Sequence, residues 1–322
     1  MADYKDLKGG TVQNVAGDPP APIAGQVWYD STAIAFQYRS SNPAGTWATT
    51  SALNTAREQV AGAGTTTSGL VFGENFGGET ELYNGTNWTE VNDLNTSRRG
   101  PAGAGASNTA ALAFGGNLAA PSPNAATDET ETWNGTNWTE VNDLNQARVF
   151  LTGAGTNTAA IAIGGATGAG GNPPQTGEAE TWNGTNWTEV GDLNTARNSF
   201  ASGGTTTSAV AFGGSGPTAD TEVWNGTSWT EVNNMNTARL GMGGAGSSST
   251  AALTFGGPSS SALVELWNGT NWAEQNDLNT GRVYSGSSKG SSTSALCMGG
   301  GPSTASEEWT SPTEASETIT TS

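Results

Sequence analysis

Residues 84–98 read NGTNWTEVNDLNTSR, and the same phrase returns with few changes at 134–148, 183–197, 225–239 and 268–282. A degenerate sixth copy begins at Trp47. In every copy an Arg follows the Trp ten positions later. The tryptophans are Trp47, Trp88, Trp138, Trp187, Trp229 and Trp272, and the arginines are Arg57, Arg98, Arg148, Arg197, Arg239 and Arg282. The sequence therefore contains six copies of one repeat.

The spacing of the copies indicates the kind of repeat. Successive arginines are 41, 50, 49, 42 and 43 residues apart. This period is too long for helical hairpins and matches a four-stranded propeller blade of roughly 40–50 residues. Short apolar runs bounded by turn residues predict strands, and no segment has a helical period.

The third strand of each unit has an alternating pattern, with a Glu two positions before an aromatic residue. Residues two apart in a strand share a face. An Asn-Gly pair follows in five copies and predicts a hairpin into the Trp strand. The glutamates are Glu81, Glu131, Glu180, Glu222, Glu265 and Glu307. Each unit is thus predicted to form four antiparallel strands.

The sixth unit lacks a final Trp strand, because the chain after Trp309 continues in Ser, Thr and Glu. A matching strand is present at the other end of the sequence, around Trp47. We predict that residues 46–51 pair with the strand of Trp309. Such pairing closes a ring without a free sheet edge, which would otherwise template aggregation.

These residues carry a family resemblance. A Gly-Gly after the second strand, an aromatic in the third, a Trp in the fourth and the repeated Arg resemble the kelch repeat over about residues 46–310. The pattern is broken at Gly73-Glu74, where the second Gly is missing. The resemblance implies an all-β, six-bladed kelch-like β-propeller whose last blade is closed by an N-terminal strand. It implies an interaction scaffold without naming a partner.

The N-terminal region differs in composition from the repeats. Residues 1–24 lack strand or helix periodicity and predict an extended docking arm. The segment from Gly25 to Arg39 resembles a short hairpin near the start of many bacteriophage tail-fibre and virion-surface proteins. We therefore divide the chain into an arm (1–24), a hairpin and linker (25–45), the propeller (46–310) and a Ser/Thr/Glu-rich tail (311–322).

Charge and hydropathy exclude several classes of partner. The chain has 29 acidic and 11 basic residues, a formal net charge of −18. Binding to nucleic acid and to anionic membranes relies on clustered Lys and Arg, so we expect no nucleic-acid partner. No segment has the length and apolar character needed to span a bilayer, and residues 1–10 lack the apolar core of an ordinary signal peptide.

Little in the sequence supports catalysis. The chain has no His and a single Cys, Cys297, in an apolar run, which excludes Ser-His-Asp and Cys-His sets and removes the commonest zinc ligand. Paired carboxylates are conceivable, but acids recur in every repeat whereas an active site should occur once. We predict no enzyme activity, no metal and no cofactor.

The repeated side chains have two interpretations. The repeated Arg and Glu residues are expected to tie strands together in buried pairs, although a charged ring that grips an anion or peptide is the alternative. The repeated Trp residues are expected to pack between blades, with stacking on sugars as the alternative.

Two adjacent repeats carry longer loops between their second and third strands, and these are our candidate partner-binding loops. The interval from the second-strand Gly to the next aromatic is 18 residues in these two repeats and 10 or 11 in the others. Loops inserted on one face of a repeat array often form its binding surface, although drift in a tolerant loop is the alternative. The candidate residues are Asn117, Pro121, Pro123, Asn124, Asn172, Pro173, Pro174 and Gln175.

The combined hypothesis is a non-enzymatic structural or interaction protein of a phage particle. The arm would anchor it to other virion proteins in the capsid or tail, and the propeller would serve as capsid decoration or as an adhesin for a host glycan or protein. It would be made in the host cytoplasm and localise to the virion. The alternative is a free-standing lectin-like or peptide-binding propeller, which does not need an arm.

Overall fold

The computed structural model describes residues 13–17, 19, 26–41, 44–118, 125–168, 174–312 and 314–318. The chain divides into two compact units, one of Met1–Gly45 with Pro312–Ser322 and one of Thr46–Ser311. No α-helix occurs in these ranges, and Pro258–Ser260 forms one 3-10 turn. No helix in the described ranges is long and apolar enough to cross a membrane.

The strands are numbered in chain order. The first group is β1 (Gln13–Val15), β2 (Val27–Asp30), β3 (Ala35–Ser41), β4 (Thr46–Thr49), β5 (Ala61–Thr65), β6 (Ser68–Phe72), β7 (Thr80–Tyr83) and β8 (Trp88–Val91). The second is β9 (Arg98–Arg99), β10 (Ala102–Ser107), β11 (Ala110–Phe114), β12 (Asn117–Leu118), β13 (Ala125–Ala126), β14 (Thr130–Trp133), β15 (Trp138–Val141), β16 (Thr152–Thr156), β17 (Ala159–Ala166), β18 (Gln175–Trp182) and β19 (Trp187–Val190). The third is β20 (Ala201–Thr205), β21 (Ser208–Phe212), β22 (Thr221–Trp224), β23 (Trp229–Val232), β24 (Gly243–Ser248), β25 (Ala251–Phe255), β26 (Val264–Trp267), β27 (Trp272–Glu274), β28 (Gly286–Ser287), β29 (Ser294–Met298), β30 (Ser306–Thr310) and β31 (Glu314–Thr318).

The smaller unit is a mixed sheet in the order β1-β2-β3-β31. Strand β1 runs parallel to β2, and β31 runs antiparallel to β3. Strands β1 and β31 lie within segments for which the sequence predicts an unpaired arm and a tail. Strand β31 pairs with a strand that is distant in the sequence, and β1 is separated from β2 by a long connection. Local periodicity therefore does not predict either strand.

The hairpin between β2 and β3 is held by the side chain of Asp30. Its Oδ1 accepts hydrogen bonds from the backbone N–H groups of Thr32 and Ala33, at 2.7 and 3.1 Å, and of Gly17 at 2.9 Å. These bonds, led by that from Gly17, hold the pKa of Asp30 below its usual value, because they favour the ionised carboxylate. Asp is suited to this turn since its short side chain reaches the backbone two and three residues ahead.

The larger unit contains six four-stranded antiparallel sheets, which we call repeat sheets 1 to 6. Their strand orders are β5-β6-β7-β8, β10-β11-β14-β15, β16-β17-β18-β19, β20-β21-β22-β23, β24-β25-β26-β27 and β28-β29-β30-β4. The prediction of an all-β chain of four-stranded antiparallel units is confirmed. In repeat sheet 6 the outer strand is β4, which pairs with β30 through Trp47 opposite Trp309 and Thr49 opposite Glu307.

The first strands of the repeat sheets lie next to one another, and contacts run in the order β5, β10, β16, β20, β24, β28 and back to β5. Their Gly content follows from this approach. A Cβ built on Gly62 would lie 2.5 Å from the carbonyl oxygen of Ser287. One on Gly103 would lie 2.8 Å from the Gly62 oxygen, and one on Gly153 would lie 2.9 Å from the Gly103 oxygen. The glycines therefore permit close packing of a propeller-like arrangement.

In repeat sheets 1 to 5, the third and fourth strands are joined by a four-residue Asn-Gly-Thr-Asn or Asn-Gly-Thr-Ser loop. In repeat sheet 2 the Oδ1 of Asn134 accepts the N–H groups of Thr136 and Asn137, both at 2.9 Å, and Gly135 has a φ of 93°. Trp133 then pairs with Trp138 across the loop. The Asn side chain replaces backbone turn bonds, and Gly supplies the left-handed residue.

Candidate functional site

Each repeat sheet holds one buried Arg–Glu pair. The Nη2 of Arg57 lies 2.6 Å from Oε1 of Glu81, that of Arg148 lies 2.7 Å from Glu180, and that of Arg239 lies 2.8 Å from Glu265. The other pairs are Arg98 with Glu131, Arg197 with Glu222 and Arg282 with Glu307. All twelve side chains are buried, where charges require such partners.

Most of the remaining hydrogen-bonding groups of these pairs are also occupied, although the Nε atoms of Arg57, Arg148, Arg197 and Arg239 have no partner among the described residues. Nη1 of Arg148 donates to the carbonyl oxygens of Gly164 at 3.0 Å and Glu178 at 2.7 Å. The second oxygen of Glu180 accepts the backbone N–H and the Nδ2 of Asn145. Burial lowers the pKa of Arg148, while the charges of Glu180 and Glu178 oppose that shift. Each pair therefore links the segment before the first strand to the third strand of the same sheet. Few of its hydrogen-bonding groups remain for a ligand.

The repeated tryptophans are buried between neighbouring sheets. Trp138 of repeat sheet 2 contacts Phe72 of repeat sheet 1 edge-on, with ring centroids 4.9 Å apart. The same geometry joins Trp187 to Phe114, Trp272 to Phe212 and Trp47 to Phe255. All six repeated tryptophans expose no more than 8% of their surface. Their rings are therefore covered by protein and not open to sugars.

Six residues with left-handed backbone encircle one end of the first strands, two positions after each repeated Arg. They are Gln59, Gly100, Phe150, Ser199, Gly241 and Tyr284, with φ between 54° and 63°. Backbone N–H groups donate around this circle, as from Gly100 to Gln59 (2.8 Å), Gln59 to Tyr284 (2.9 Å) and Tyr284 to Gly241 (2.6 Å). Left-handed backbone at bulky residues costs free energy, and neighbouring sheets hold it in place here. We call the end of the larger unit with this ring the Arg end.

The stems of the two long loops form paired strands at the Arg end. In repeat sheet 2, β12 pairs with β13 and with β9, so that Asn117 lies opposite both Ala126 and Arg99. In repeat sheet 3, β17 and β18 extend past a bulge until Ala166 pairs with Gln175. The backbone N–H of Thr167 donates to the oxygen of Pro174 at 2.8 Å.

The structure thus places three of the eight predicted loop residues in the stems of these loops. Asn117 is buried in the stem, whereas Gln175 is exposed and its Nε2 donates to the hydroxyl of Ser215 in the next sheet at 2.7 Å. Pro174 is the third. The predictions for Pro121, Pro123, Asn124, Asn172 and Pro173 lie outside the described residues.

A small group of side chains at the Arg end does not follow the repeat. The guanidinium of Arg99 lies over the rings of Phe76, at 4.8 Å, and Phe150, at 5.5 Å. Burial first, and the nearby Glu79 charge second, raise the pKa of Glu74. Within the described ranges, no three His, Cys, Asp or Glu side chains are grouped so as to hold a metal.

The thiol of Cys297 lies in β29 and is fully buried. Burial raises its pKa to about 11, because the thiolate would be poorly solvated there. At neutral pH it is a protonated core residue.

The first strands enclose a cavity of about 90 Å³, which we call the axial cavity. Its lining includes Gln59 and Tyr284 at the Arg end and the small residues of the six first strands. Lys289 also lines it and is the sole charged residue among the described residues that do so. None of the sequence patterns described above singles out Lys289. Alignment on the repeated Arg would have found it, since the other five repeats have Gly at that position.

Comparison with known proteins supports the fold alone. No known family model matches the chain, and no curated protein sequence matches it. A solved structure described as "Structure of YjhT" resembles it with a TM-score of 0.68 and 14% sequence identity, covering 82% of this chain and 99% of that one. The likeness is to a kelch-like, β-propeller type of fold.

Proposed function

We propose that the larger unit is a six-bladed kelch-like β-propeller closed by its own N-terminal strand. The cyclic order of contacts among the six first strands supports this proposal. So does the pairing of β4 with β30. Trp47 contacts Phe255 at 5.0 Å, the same contact that other repeated tryptophans make with the preceding sheet. The strand around Trp47 therefore has the pairing and the packing contacts expected of a sixth outer strand.

Our functional proposal is a non-enzymatic interaction protein that binds its partner through the long loops at the Arg end. One observation carries it: the repeated charged and aromatic side chains are occupied in structural contacts, whereas the stems of two adjacent loops form additional paired strands. The partner would be a host surface glycan or protein. With a net charge of −18, nucleic acid is disfavoured as a ligand.

Shortening the two loops tests this function. Residues 119–124 and 169–173 would be replaced by two-residue linkers that keep the stems, and the chain would be screened with the parent on a glycan array and on cell-surface protein extracts. We expect the parent to bind and the shortened chain to lose binding. The matched control shortens the exposed turn at Ser259 and Ser260, which lies at the same end but in a repeat with a short loop. Equal binding by all three chains would contradict the proposal.

We further propose that the protein belongs to a virus particle and is anchored there through residues 1–24. The resemblance of residues 25–39 to the hairpins of phage tail-fibre and virion-surface proteins motivates this assignment. The same hairpin exposes large apolar side chains, with Ile34 77% and Phe36 48% accessible, and exposed apolar groups of this kind favour contact with another protein. A free-standing lectin-like or peptide-binding propeller is the alternative function.

Imaging of native assemblies by cryo-electron microscopy distinguishes these two functions. We expect residues 1–24 to contact another subunit of a capsid or tail. A chain that lacks residues 1–24 should fold but fail to join the particle. Free monomers in the native source would instead favour the free-standing propeller.

A further inference from the structure

Lys289 breaks the repeat at a position where the backbone otherwise requires glycine. It stands seven residues after Arg282, and the corresponding residues of the other repeats are Gly64, Gly105, Gly155, Gly204 and Gly246. A Cβ on Gly64 would lie 2.0 Å from the carbonyl oxygen of Ser68, and one on Gly155 would lie 2.2 Å from that of Ala159. A side chain at this position is therefore incompatible with the regular pairing of the first and second strands.

Repeat sheet 6 gives up part of that pairing around the lysine. Its first strand, β28, is two residues long, whereas the equivalent strands of the other sheets have five or six residues. The N–H of Ser288 still donates to Leu296, at 3.0 Å, and the Ser288 hydroxyl accepts from the N–H of Leu296 at 2.9 Å. The chain then leaves the ladder at Lys289. The fold thus loses backbone hydrogen bonds where it places a cation in the axial cavity.

The surroundings of Lys289 supply no compensating charge. Among the described residues, the cavity lining contains one other titratable group, Tyr284 at the Arg end, and no carboxylate. Part of the Lys289 side chain remains accessible, yet enough protein surrounds the ammonium for burial to lower its pKa to about 8. At pH 7 about 90% of such a group is still protonated. A partly buried cation without a counter-charge loses solvation, and a bound anion would offset that cost.

We propose that the axial cavity is a binding site for a small monovalent anion, which contacts the ammonium of Lys289. The cavity volume of about 90 Å³ exceeds the roughly 10–15 Å³ that one ordered water requires, so the site has room for an anion of a few non-hydrogen atoms. A lysine ammonium suits such a ligand because it presents three donors on a compact charge. This site is independent of the loops and of the virion assignment.

The titration of Lys289 tests the proposal directly. The chain contains three lysines, Lys5, Lys8 and Lys289, so ¹⁵N-lysine labelling gives three side-chain Nζ signals, and the variant Lys289→Gly assigns one of them. The Nζ shift would be followed against pH with formate as the probe anion. Gluconate at equal ionic strength is the control, since it is a carboxylate several times larger than formate.

We expect formate to raise the titration midpoint of Lys289, by about one pH unit at ten times its dissociation constant, because it binds the protonated form. Lys5 and Lys8 should not respond. Equal midpoints for Lys289 in formate and gluconate would overturn the proposal.

A second measurement uses the same variant. Lys289→Gly restores the residue found in the other five repeats, so it should keep the fold, as seen in its circular dichroism. Formate should raise the melting temperature of the parent more than gluconate does, and this difference should vanish in Lys289→Gly. A formate effect that persists in the folded variant would refute binding at Lys289.

Discussion

Removal of the charge from one Arg–Glu pair shows how much these pairs contribute to stability. In Glu180→Gln, the Nη2 of Arg148 loses an anionic partner at 2.7 Å. The new amide group is nearly the same size, so packing is preserved. Asn145 donates two hydrogen bonds to the second oxygen of Glu180. An amide cannot accept both these bonds and that from Arg148 without presenting its NH₂ group to a donor.

The expected loss of stability follows from burial. Arg148 and Glu180 are both essentially inaccessible to solvent, and loss of one partner of a buried ion pair typically costs about 3–5 kcal/mol. For a unit of this size that corresponds to a fall in melting temperature of roughly 6–10 °C. The chain supplies a matched control, because Glu189 lies directly opposite Glu180 on the neighbouring strand and is exposed. Glu189→Gln should change stability by less than about 0.5 kcal/mol.

Urea unfolding followed by tryptophan fluorescence measures both variants, since the repeated tryptophans are buried in the native state. Glu180→Gln should clearly lower the urea concentration at which unfolding of the larger unit reaches its midpoint, and Glu189→Gln should not. If the two variants unfold alike, the buried pair does not stabilise the sheet and our interpretation of the repeated Arg and Glu is wrong.

Three further predictions concern other parts of the larger unit. The indole N–H of Trp229 has no hydrogen-bond partner among the described residues, because Ala179 stands where three other repeats have the acceptors Thr80, Thr130 and Thr221. Ala179→Thr should therefore stabilise the larger unit by about 1 kcal/mol. Thr130→Ala, which removes the acceptor of such a bond at 3.1 Å, should destabilise it. Urea unfolding measures both variants, and a less stable Ala179→Thr or a more stable Thr130→Ala would contradict the prediction. Deletion of residues 1–24 should leave the melting temperature of the larger unit unchanged, whereas deletion through Trp47 should lower it by removing half of β4, including Trp47 itself. Equal melting temperatures would refute closure of the ring. Because the pKa of Lys289 is lowered to about 8 from 10.5, the unfolded chain binds more protons between those values, so stability relative to Lys289→Gly should rise as the pH increases from 8 to 10.5; thermal melts across that range measure it.

Much of the larger unit could be predicted from local sequence alone. The ten-residue interval from Trp to Arg, the alternation of Glu180 and Trp182, and the Asn-Gly turns are short-range patterns. Strand alternation and turn chemistry act over a few residues, and six copies make the pattern unambiguous. The expected four-stranded antiparallel units follow from these patterns.

The tertiary structure decided the remaining features, because they depend on groups that are far apart in the chain. Strand β31 joins the sheet of β1 although its sequence is that of a polar tail. Asn117 and Gln175 were predicted together from loop length, yet the fold buries one and exposes the other. Lys289 appears in the sequence as one polar residue in a Ser-rich stretch, and only the approach of six first strands encloses it in a cavity. Burial and charge environment are properties of this packing, and local sequence does not determine them.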